Sequence, residues 1–274
     1  MPFDGLRVLA FESRRAAEMS ELIRRNGGNP FVAPSMREAP LESNDEAFAF
    51  AERLFLGEFD LVILLTGVGT RALNTVIDGR YGAGKFAEAL GRVTILARGS
   101  KPLAALREID LKPALVAPEP NTWREILDLV QPRPERRIAI QEYGRPATEL
   151  VEGLRKLGAE VTTVRVYQWA LPEDPTVLRK AARLIATGQA DVALFTTSVQ
   201  IAHLLHVASW EGIEEQVRAG LGRIVIASVG PTTTEALQEH GLTPDFEPSH
   251  PKMGFLVKET ADRAQELRER KAHA

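Results

Sequence analysis

Polar turns rich in Ser, Thr, Gly and cationic residues follow the apolar runs of this sequence, and together they could bind an anion. They read ESRR (12–15), LTGVG (65–69), ARGSK (97–101), QEYGR (141–145), FTTS (195–198) and SVGPTTT (228–234). If the runs are parallel strands, ligands bind beyond their carboxyl ends, beside helix N-termini that carry partial positive charge. A lone Ser or Thr there is usually a helix cap, but six such turns predict a cleft for a large polyanion.

The segment GVGTRA, in the second of these turns, also fits G-x-G-x-x-A, the phosphate-binding pattern of dinucleotide folds. Gly67 and Gly69 would let a pyrophosphate approach the backbone, and Arg98, after the next apolar run, would suit the extra phosphate of NADP. The matching turn in the second half of the chain, 197–200, has no glycine. An NADP-dependent oxidoreductase is therefore one alternative, and a two-domain protein that binds a small anion without catalysis is another.

The composition of these 274 residues excludes several kinds of functional site. The absence of cysteine excludes disulfides, thiolate metal sites and a cysteine nucleophile, and a net charge of −3 gives no general attraction to nucleic acid or membranes. His203 and His206 have no further ligand at metal-binding spacing, so a packing or surface role is predicted. With no signal-peptide pattern and no apolar run near ~20 residues, a cytoplasmic protein is expected.

The elements that position the turns occur twice along the chain. A shift of 131 residues, the separation of Asp60 and Asp191, also superposes Thr66 on Thr197 without a gap. In each copy, short β-branched runs alternate with amphipathic stretches, which predicts parallel strands covered by helices on both faces. The sequence therefore predicts an internal duplication and an α/β fold of two flavodoxin-like domains, each a doubly wound parallel sheet.

The predicted strands are short apolar runs. They are 7–10, 30–33, 61–65, 93–97 and 114–116 in the first copy, and 138–140, 160–166, 192–195, 224–227 and 245–246 in the second. Helical patterns lie between them, for example at 16–26, 147–157 and 232–240, and a closing helix is predicted at 255–274. Linker-like stretches at 34–43 and 168–176 leave two divisions open. The domains are either in tandem, or the middle of the chain forms one domain and both ends form the other.

The segment SVGPTTTEALQEHGLTPDFEPSHPKMGFLVK (228–258) resembles the C-terminal signature of the uroporphyrinogen-III synthase family. Further matches to that family occur in order over nearly the whole chain: ESRR, LTGVG, the G-x-K of 99–101, QEYGR, VRVYQW (164–169) and FTTS. The resemblance implies two flavodoxin-like domains joined by a two-strand linker. The first would comprise 1–36 and 172–274, the second 40–167, and the linker strands 37–39 and 168–171.

The activity that the resemblance implies is a cyclisation without any cofactor or metal. Hydroxymethylbilane, a linear tetrapyrrole with many carboxylates, would lose water and close through a spiro intermediate to uroporphyrinogen III, with ring D inverted. The protein would hold this polyanionic small molecule in one geometry and help water to leave. A monomer is expected, with a transient contact to hydroxymethylbilane synthase as its protein partner.

Site residues follow from the turns and from the family's motifs. Tyr167 matches the family's cleft tyrosine, which would hydrogen-bond or protonate the leaving hydroxyl without being essential; a packed strand tyrosine is the alternative. Pro102 replaces the threonine that many relatives have after the lysine, so a hydroxyl contact is lost there, although proline suits a first helical turn. The residues expected to bind substrate are Ser13, Arg14, Arg15, Thr66, Gly67, Val68, Gly99, Ser100, Lys101, Tyr143, Gly144, Arg145, Thr197, Ser198, Gly230, Pro231, Thr232 and Thr233.

Overall fold

The computed structural model describes residues 2–39, 41–142, 144 and 146–272, and the chain divides into two compact units. Unit 1 comprises Met1–Arg37 with Ala170–Ala274, and unit 2 comprises Glu38–Trp169. The strands are β1 (Arg7–Ala10), β2 (Asn29–Val32), β3 (Arg37–Ala39), β4 (Leu61–Leu64), β5 (Thr94–Ala97), β6 (Leu115–Val116), β7 (Arg137–Gln141), β8 (Glu160–Val164), β9 (Gln168–Ala170), β10 (Val192–Phe195) and β11 (Val225–Ser228). The helices are α1 (Ala16–Arg25), α2 (Asp45–Phe55), α3 (Gly67–Tyr81), α4 (Lys85–Leu90), α5 (Ser100–Arg107), α6 (Trp123–Val130), α7 (Thr148–Lys156), α8 (Thr176–Ala186), α9 (Val199–Trp210), α10 (Glu214–Arg223), α11 (Pro231–Glu239) and α12 (Met253–Ala272).

Unit 1 is built on a parallel sheet in the order β11-β10-β1-β2, which a parallel bridge from Ala227 to Phe246 extends. Numbered along the chain, this is the 2-1-3-4-5 order of a flavodoxin-like fold. Successive strand residues point to opposite faces, so Leu9 joins a core with α8, α9 and α10 while Val8 joins a core with α1 and α12. Helices therefore cover both faces of the sheet.

Unit 2 has a five-stranded parallel sheet in the order β6-β5-β4-β7-β8. If β7 and β8 are numbered 1 and 2, and β4, β5 and β6 are numbered 3, 4 and 5, this order is also 2-1-3-4-5. Its two cores lie against α2, α3 and α4 on one face and against α6 and α7 on the other. The predicted fold class, two doubly wound parallel α/β units, is confirmed. β4 and β10 begin 131 residues apart, as do β5 and β11, while the duplication itself stays a prediction.

A short two-stranded sheet and the long C-terminal helix complete the description of the fold. β3 pairs with β9 in a two-stranded sheet, at the places where the chain leaves and re-enters unit 1. The C-terminal helix α12 has 20 residues, and its buried side chains include Leu256 and Leu267. Among the residues that the structure describes, no helix combines the length and apolar character needed to cross a membrane.

An aspartate fixes the start of the central strand in each unit. Oδ2 of Asp60, just before β4, accepts the N–H groups of Arg136 and Arg137 at 3.3 and 2.9 Å, and Oδ1 accepts the Arg137 guanidinium at 2.5 Å. Asp191, just before β10, accepts the Arg7 N–H at 2.9 Å. The hydrogen bonds from the Arg137 side chain and backbone lower the pKa of Asp60 to about 2.

Replacing Asp60 with asparagine is expected to lower the free energy of unfolding by about 1 kcal/mol at neutral pH, because a charge-assisted contact is lost at a partly exposed site. A carboxyl with a lowered pKa stabilises the fold above the unfolded-state pKa and loses that effect as the pH falls through the folded value. The difference between wild type and variant should therefore shrink below about pH 3.8 and disappear below about pH 2. Urea unfolding across this pH range measures it, and a difference independent of pH would contradict the assignment.

Candidate active site

The turn after β4 in unit 2 is held by Thr66 and Gln141. Thr66 is the N-cap of α3, and its hydroxyl accepts the Gly69 N–H at 3.0 Å. The Thr66 N–H donates to Oε1 of Gln141, the last residue of the neighbouring strand β7, at 3.1 Å. The strand order reverses between β4 and β7, and this switch point is the usual ligand position in doubly wound folds.

Tyr167 joins this turn from the segment that follows β8. Its hydroxyl oxygen lies 3.3 Å from Oγ1 of Thr66, although the residue is only 4% exposed. Its ring packs edge-on against Trp169, with the ring centroids 5.5 Å apart. Tyr167 is thus a packed residue whose polar atom reaches the turn at the carboxyl end of the sheet.

Gly144 lies against the same pair of aromatic rings. Its φ is +80°, and a Cβ at this position would come within 2.7 Å of Cδ1 of Trp169, so both the conformation and the space require glycine. Its neighbours Tyr143 and Arg145, which are also expected to bind substrate, lie outside the described residues. Glu142 before them is buried, and burial raises the pKa of its carboxyl.

Packing accounts for both glycines of GVGTRA. A Cβ on Gly67 would lie 2.5 Å from the carbonyl oxygen of Lys101, and a Cβ on Gly69 would overlap Nε2 of Gln141. Arg98 donates from Nε to a backbone carbonyl at 2.6 Å. Contacts within the protein therefore explain both glycines without a bound pyrophosphate.

The other predicted residues of unit 2 lie in the first turns of α3 and α5. Val68 is half-buried in α3. Gly99 is the buried N-cap of α5, and Ser100 and Lys101 are exposed at its start. Pro102 is buried in the same first turn, so its departure from the family's threonine leaves the helix start in place.

In unit 1 the turn after β10 contacts the carboxylate of a residue that follows β1. The Thr196 hydroxyl donates to Oε2 of Glu12, beyond the end of β1, at 2.7 Å. The Thr196 N–H donates to Oε1 of the buried Gln200 at 2.7 Å. Thr197 is half-buried, and Ser198 is buried as the N-cap of α9 without a side-chain cap bond.

The turn after β1 combines a structural serine with two surface cations. Oγ of Ser13 accepts the N–H groups of Ser35 and of the next residue, each at 3.2 Å. Arg14 and Arg15 are exposed beside it, and Arg15 forms an ion pair with Glu18. Ser13 therefore holds the backbone segment that follows β2, whereas the side chains of Arg14 and Arg15 lie at the surface.

The turn after β11 begins α11. Gly230 is the buried N-cap, and Pro231 follows as the first helical residue, where its missing N–H costs nothing. The Thr233 N–H donates back to the Gly230 carbonyl at 2.9 Å. Thr232 is half-buried and Thr233 is buried, so Thr232 is the more accessible of the two hydroxyls.

The histidine pair of α9 is explained by packing. Nδ1 of His203 lies 2.8 Å from the carbonyl oxygen of Ser35, and burial lowers the pKa of the imidazole. His206 packs edge-on against Trp210. In the ranges that the structure describes, no group of three or more His, Asp or Glu side chains is arranged to hold a metal ion.

Within unit 2 the structure brings Thr66, Tyr167 and Gly144 to one turn. Sequence reasoning did not assign a role to Gln141, which holds this turn, or to Gln200, its counterpart in unit 1. Each is the buried amide that accepts an N–H just after the central strand. The sequence does contain a signal for this role, because each glutamine lies in an otherwise apolar or hydroxyl-rich stretch. A buried amide there must find hydrogen-bond partners, and these are the neighbouring backbone groups.

Two doubly wound units with polar turns at the carboxyl ends of their strands define an α/β protein of the ligand-binding or enzyme class. A family model described as uroporphyrinogen-III synthase HemD matches residues 17–258. The chain is 30% identical to the uncharacterized protein YjjA of Bacillus subtilis over 94% of this chain and 95% of that one. It is 29% identical to a putative uroporphyrinogen-III synthase of Methanothermobacter thermautotrophicus, over 84% and 87% of the two chains. The crystal structure of a mutant uroporphyrinogen III synthase from Thermus thermophilus has a TM-score of 0.71, with 26% identity and coverage of 96% and 99%.

The chain belongs to the uroporphyrinogen-III synthase family, as the sequence motifs predicted. It is accordingly an enzyme of the lyase and cyclase type in porphyrin biosynthesis. The family acts on a small-molecule tetrapyrrole.

Proposed function

We propose that this protein converts hydroxymethylbilane to uroporphyrinogen III, with inversion of ring D and loss of water. The family match over 17–258 supports the reaction class. The observation that carries the proposal is the Tyr167 hydroxyl, 3.3 Å from Oγ1 of Thr66 at the switch point of the unit 2 sheet. A hydroxyl pair at this position can donate to a leaving hydroxyl and stabilise the charge that develops.

The chemistry requires one proton to be delivered and one to be returned. The terminal hydroxyl of the substrate leaves as water once it is protonated, and the electron pair of the pyrrole nitrogen forms an azafulvene. The substituted carbon of ring D then attacks the exocyclic carbon and gives a spiro intermediate. This intermediate fragments and closes again at the other side of ring D, and the proton that ring D releases balances the one delivered to water.

Tyr167 is proposed as the donor to the leaving hydroxyl. Its ring is fixed by burial and by Trp169, so the position of its hydroxyl oxygen varies less than it would on a flexible side chain. Phenol is a weak acid at neutral pH, so its contribution is assistance rather than an absolute requirement. Orientation of the bound substrate would supply the larger part of the rate.

The carboxylates of the substrate are proposed to bind at the other predicted residues. In unit 1 the exposed or half-buried candidates include Arg14, Thr197 and Thr232, and in unit 2 they include Ser100 and Lys101. Several lie in the first turns of helices, where backbone N–H groups add to the attraction. Each charge-assisted hydrogen bond contributes about 1.5–3 kcal/mol, so a few of them suffice to hold the linear tetrapyrrole in one bent conformation.

The proposal is tested by incubating the protein with hydroxymethylbilane, oxidising the product and separating the isomers. We expect uroporphyrin III to dominate, whereas a reaction without protein gives the uninverted isomer I. A product that contains isomer I alone would reject the proposal and leave anion binding without catalysis as the function. Because hydroxymethylbilane closes spontaneously, we also propose that the protein, acting as a monomer, receives it during a brief contact with the synthase that makes it.

A further inference from the structure

Gln141 is a fully buried polar residue at the carboxyl end of β7. Its Oε1 accepts the Thr66 N–H at 3.1 Å, and its Nε2 donates to the Glu142 carbonyl. Turning the amide over would place donor against donor and acceptor against acceptor, so these two bonds fix its orientation. The side chain is therefore held at both of its polar atoms.

Gly69 provides the space for this arrangement. Any Cβ at that position would lie within 2.6 Å of three atoms of the Gln141 amide. Because Gly69 also donates its N–H to Oγ1 of Thr66 at 3.0 Å, the glycine contacts both partners. The first turn of α3 is thus shaped to bring the Gln141 amide against Thr66.

The Thr66 hydroxyl has one proton, and two described oxygen atoms lie within reach to accept it in a hydrogen bond. One of its lone pairs accepts the Gly69 N–H. The proton can go to Oε1 of Gln141 at 3.4 Å or to the Tyr167 oxygen at 3.3 Å. When it goes to Gln141, Tyr167 can donate its own proton to Thr66; when it turns to Tyr167, the Tyr167 proton is released toward another acceptor.

We propose that Gln141 is a positioning residue for the dehydration step, an inference that rests on the proposed function. It holds Thr66 beside Tyr167 and accepts a hydrogen bond from the Thr66 hydroxyl until the substrate hydroxyl arrives. Rotation of the Thr66 hydroxyl then turns Tyr167 from a donor to Thr66 into a donor to the leaving group. The Tyr167 proton departs with the water, Thr66 donates to the phenolate oxygen, and the proton released by ring D restores the phenol.

A first experiment needs no substrate. Tyrosine labelled with ¹³C at Cζ gives a signal that responds to hydrogen bonding at the phenol oxygen, and Tyr167→Phe identifies the signal of Tyr167 among the three tyrosines. We expect Gln141→Leu to shift this signal and to speed hydrogen exchange at the Thr66 amide. An unchanged Tyr167 signal would overturn the proposal, whatever the protein catalyses.

Gln200→Leu is the matched control. Gln200 is equally buried, accepts the Thr196 N–H at 2.7 Å and donates to the Thr196 hydroxyl at 2.9 Å. It lies in unit 1, and all three tyrosines of the sequence lie in unit 2. A similar loss of stability in both variants, with a shifted Tyr167 signal only in Gln141→Leu, separates positioning from general destabilisation. An equal shift in both variants would count against the specific role.

A second experiment measures turnover. Gln141→Leu is expected to lower kcat about fivefold with KM nearly unchanged, and to have almost no further effect in the Tyr167→Phe background, because both changes remove the same contact. Independent, multiplying effects would overturn the proposal. Gln141→Glu should recover activity as the pH falls, because the protonated carboxyl again offers one donor and one acceptor. Absence of isomer III from the wild type would instead reject the proposed function, and the substrate-free experiment would still decide the role of Gln141.

Discussion

Alanine at position 220 is expected to lower the free energy of unfolding by about 3 kcal/mol, because overpacking a closed contact forces the backbone to move. Gly220 lies in α10 where this helix meets the end of α8. A Cβ there would overlap the carbonyl oxygen of Ile185 and come within 2.8 Å of its Cγ2. A carbonyl oxygen in a helix end cannot rotate away as a flexible side chain can, so the two helices must separate.

Gly222, two residues further along the same helix, is the matched control. A Cβ at this position meets nothing within 4 Å. Alanine there should raise the free energy of unfolding by about 0.5 kcal/mol, since it only reduces the freedom of the unfolded chain. Urea unfolding of both variants tests the pair, and effects of the same sign would contradict the close approach of α8 and α10.

Phenylalanine at position 167 is expected to lower kcat by between about ten- and a hundredfold and to leave some turnover. The change removes only the hydroxyl that lies 3.3 Å from Oγ1 of Thr66. The ring keeps its burial and its edge-on contact with Trp169. The free energy of unfolding should therefore change by no more than about 1 kcal/mol, and uroporphyrinogen III should remain the main product.

Tyr81→Phe controls for the loss of a phenolic hydroxyl elsewhere in unit 2. The Tyr81 hydroxyl donates to Oε1 of Glu52 at 2.9 Å, near the C-terminus of α3. This variant should retain wild-type kcat in the same isomer assay. Residual activity of Tyr167→Phe below about a hundredth of wild type would show that proton donation, rather than orientation of the substrate, supplies most of the rate. Unchanged activity of Tyr167→Phe would remove Tyr167 from the mechanism.

The regular elements were predictable from local patterns, because a buried strand or helix face appears in the sequence as a run or a periodic pattern of apolar residues. The run 192–195 is a strand with the predicted bounds, and the run predicted at 61–65 is the strand Leu61–Leu64. Strands covered on both faces need unbroken apolar side chains, so their length can be counted. The helices predicted at 147–157 and 232–240 stop directly before Gly158 and Gly241, which follow α7 and α11 with φ of +82° and +74°.

The glycines of the candidate site were harder to interpret. A glycine shows that a side chain is excluded, but it does not show what excludes it. At Gly67 the obstacle is the Lys101 carbonyl, and at Gly69 it is the Gln141 amide. The dinucleotide alternative arose because the pattern of GVGTRA is the same whether a ligand or the protein fills the space beside it.

By itself, the sequence determined the type and order of the elements, the polar turns at the ends of the strands and, through its motifs, the family. These properties depend on neighbours in the chain, whose side chains alternate or repeat with the period of a strand or a helix. Only the tertiary structure decided that the amide of Gln141 holds Thr66 across 75 residues and that Tyr167 meets Thr66 across 101. Such contacts follow from the order and register of the strands. The sequence carries no local signal for strand order or for register, so the geometry of this turn could not be derived from the sequence.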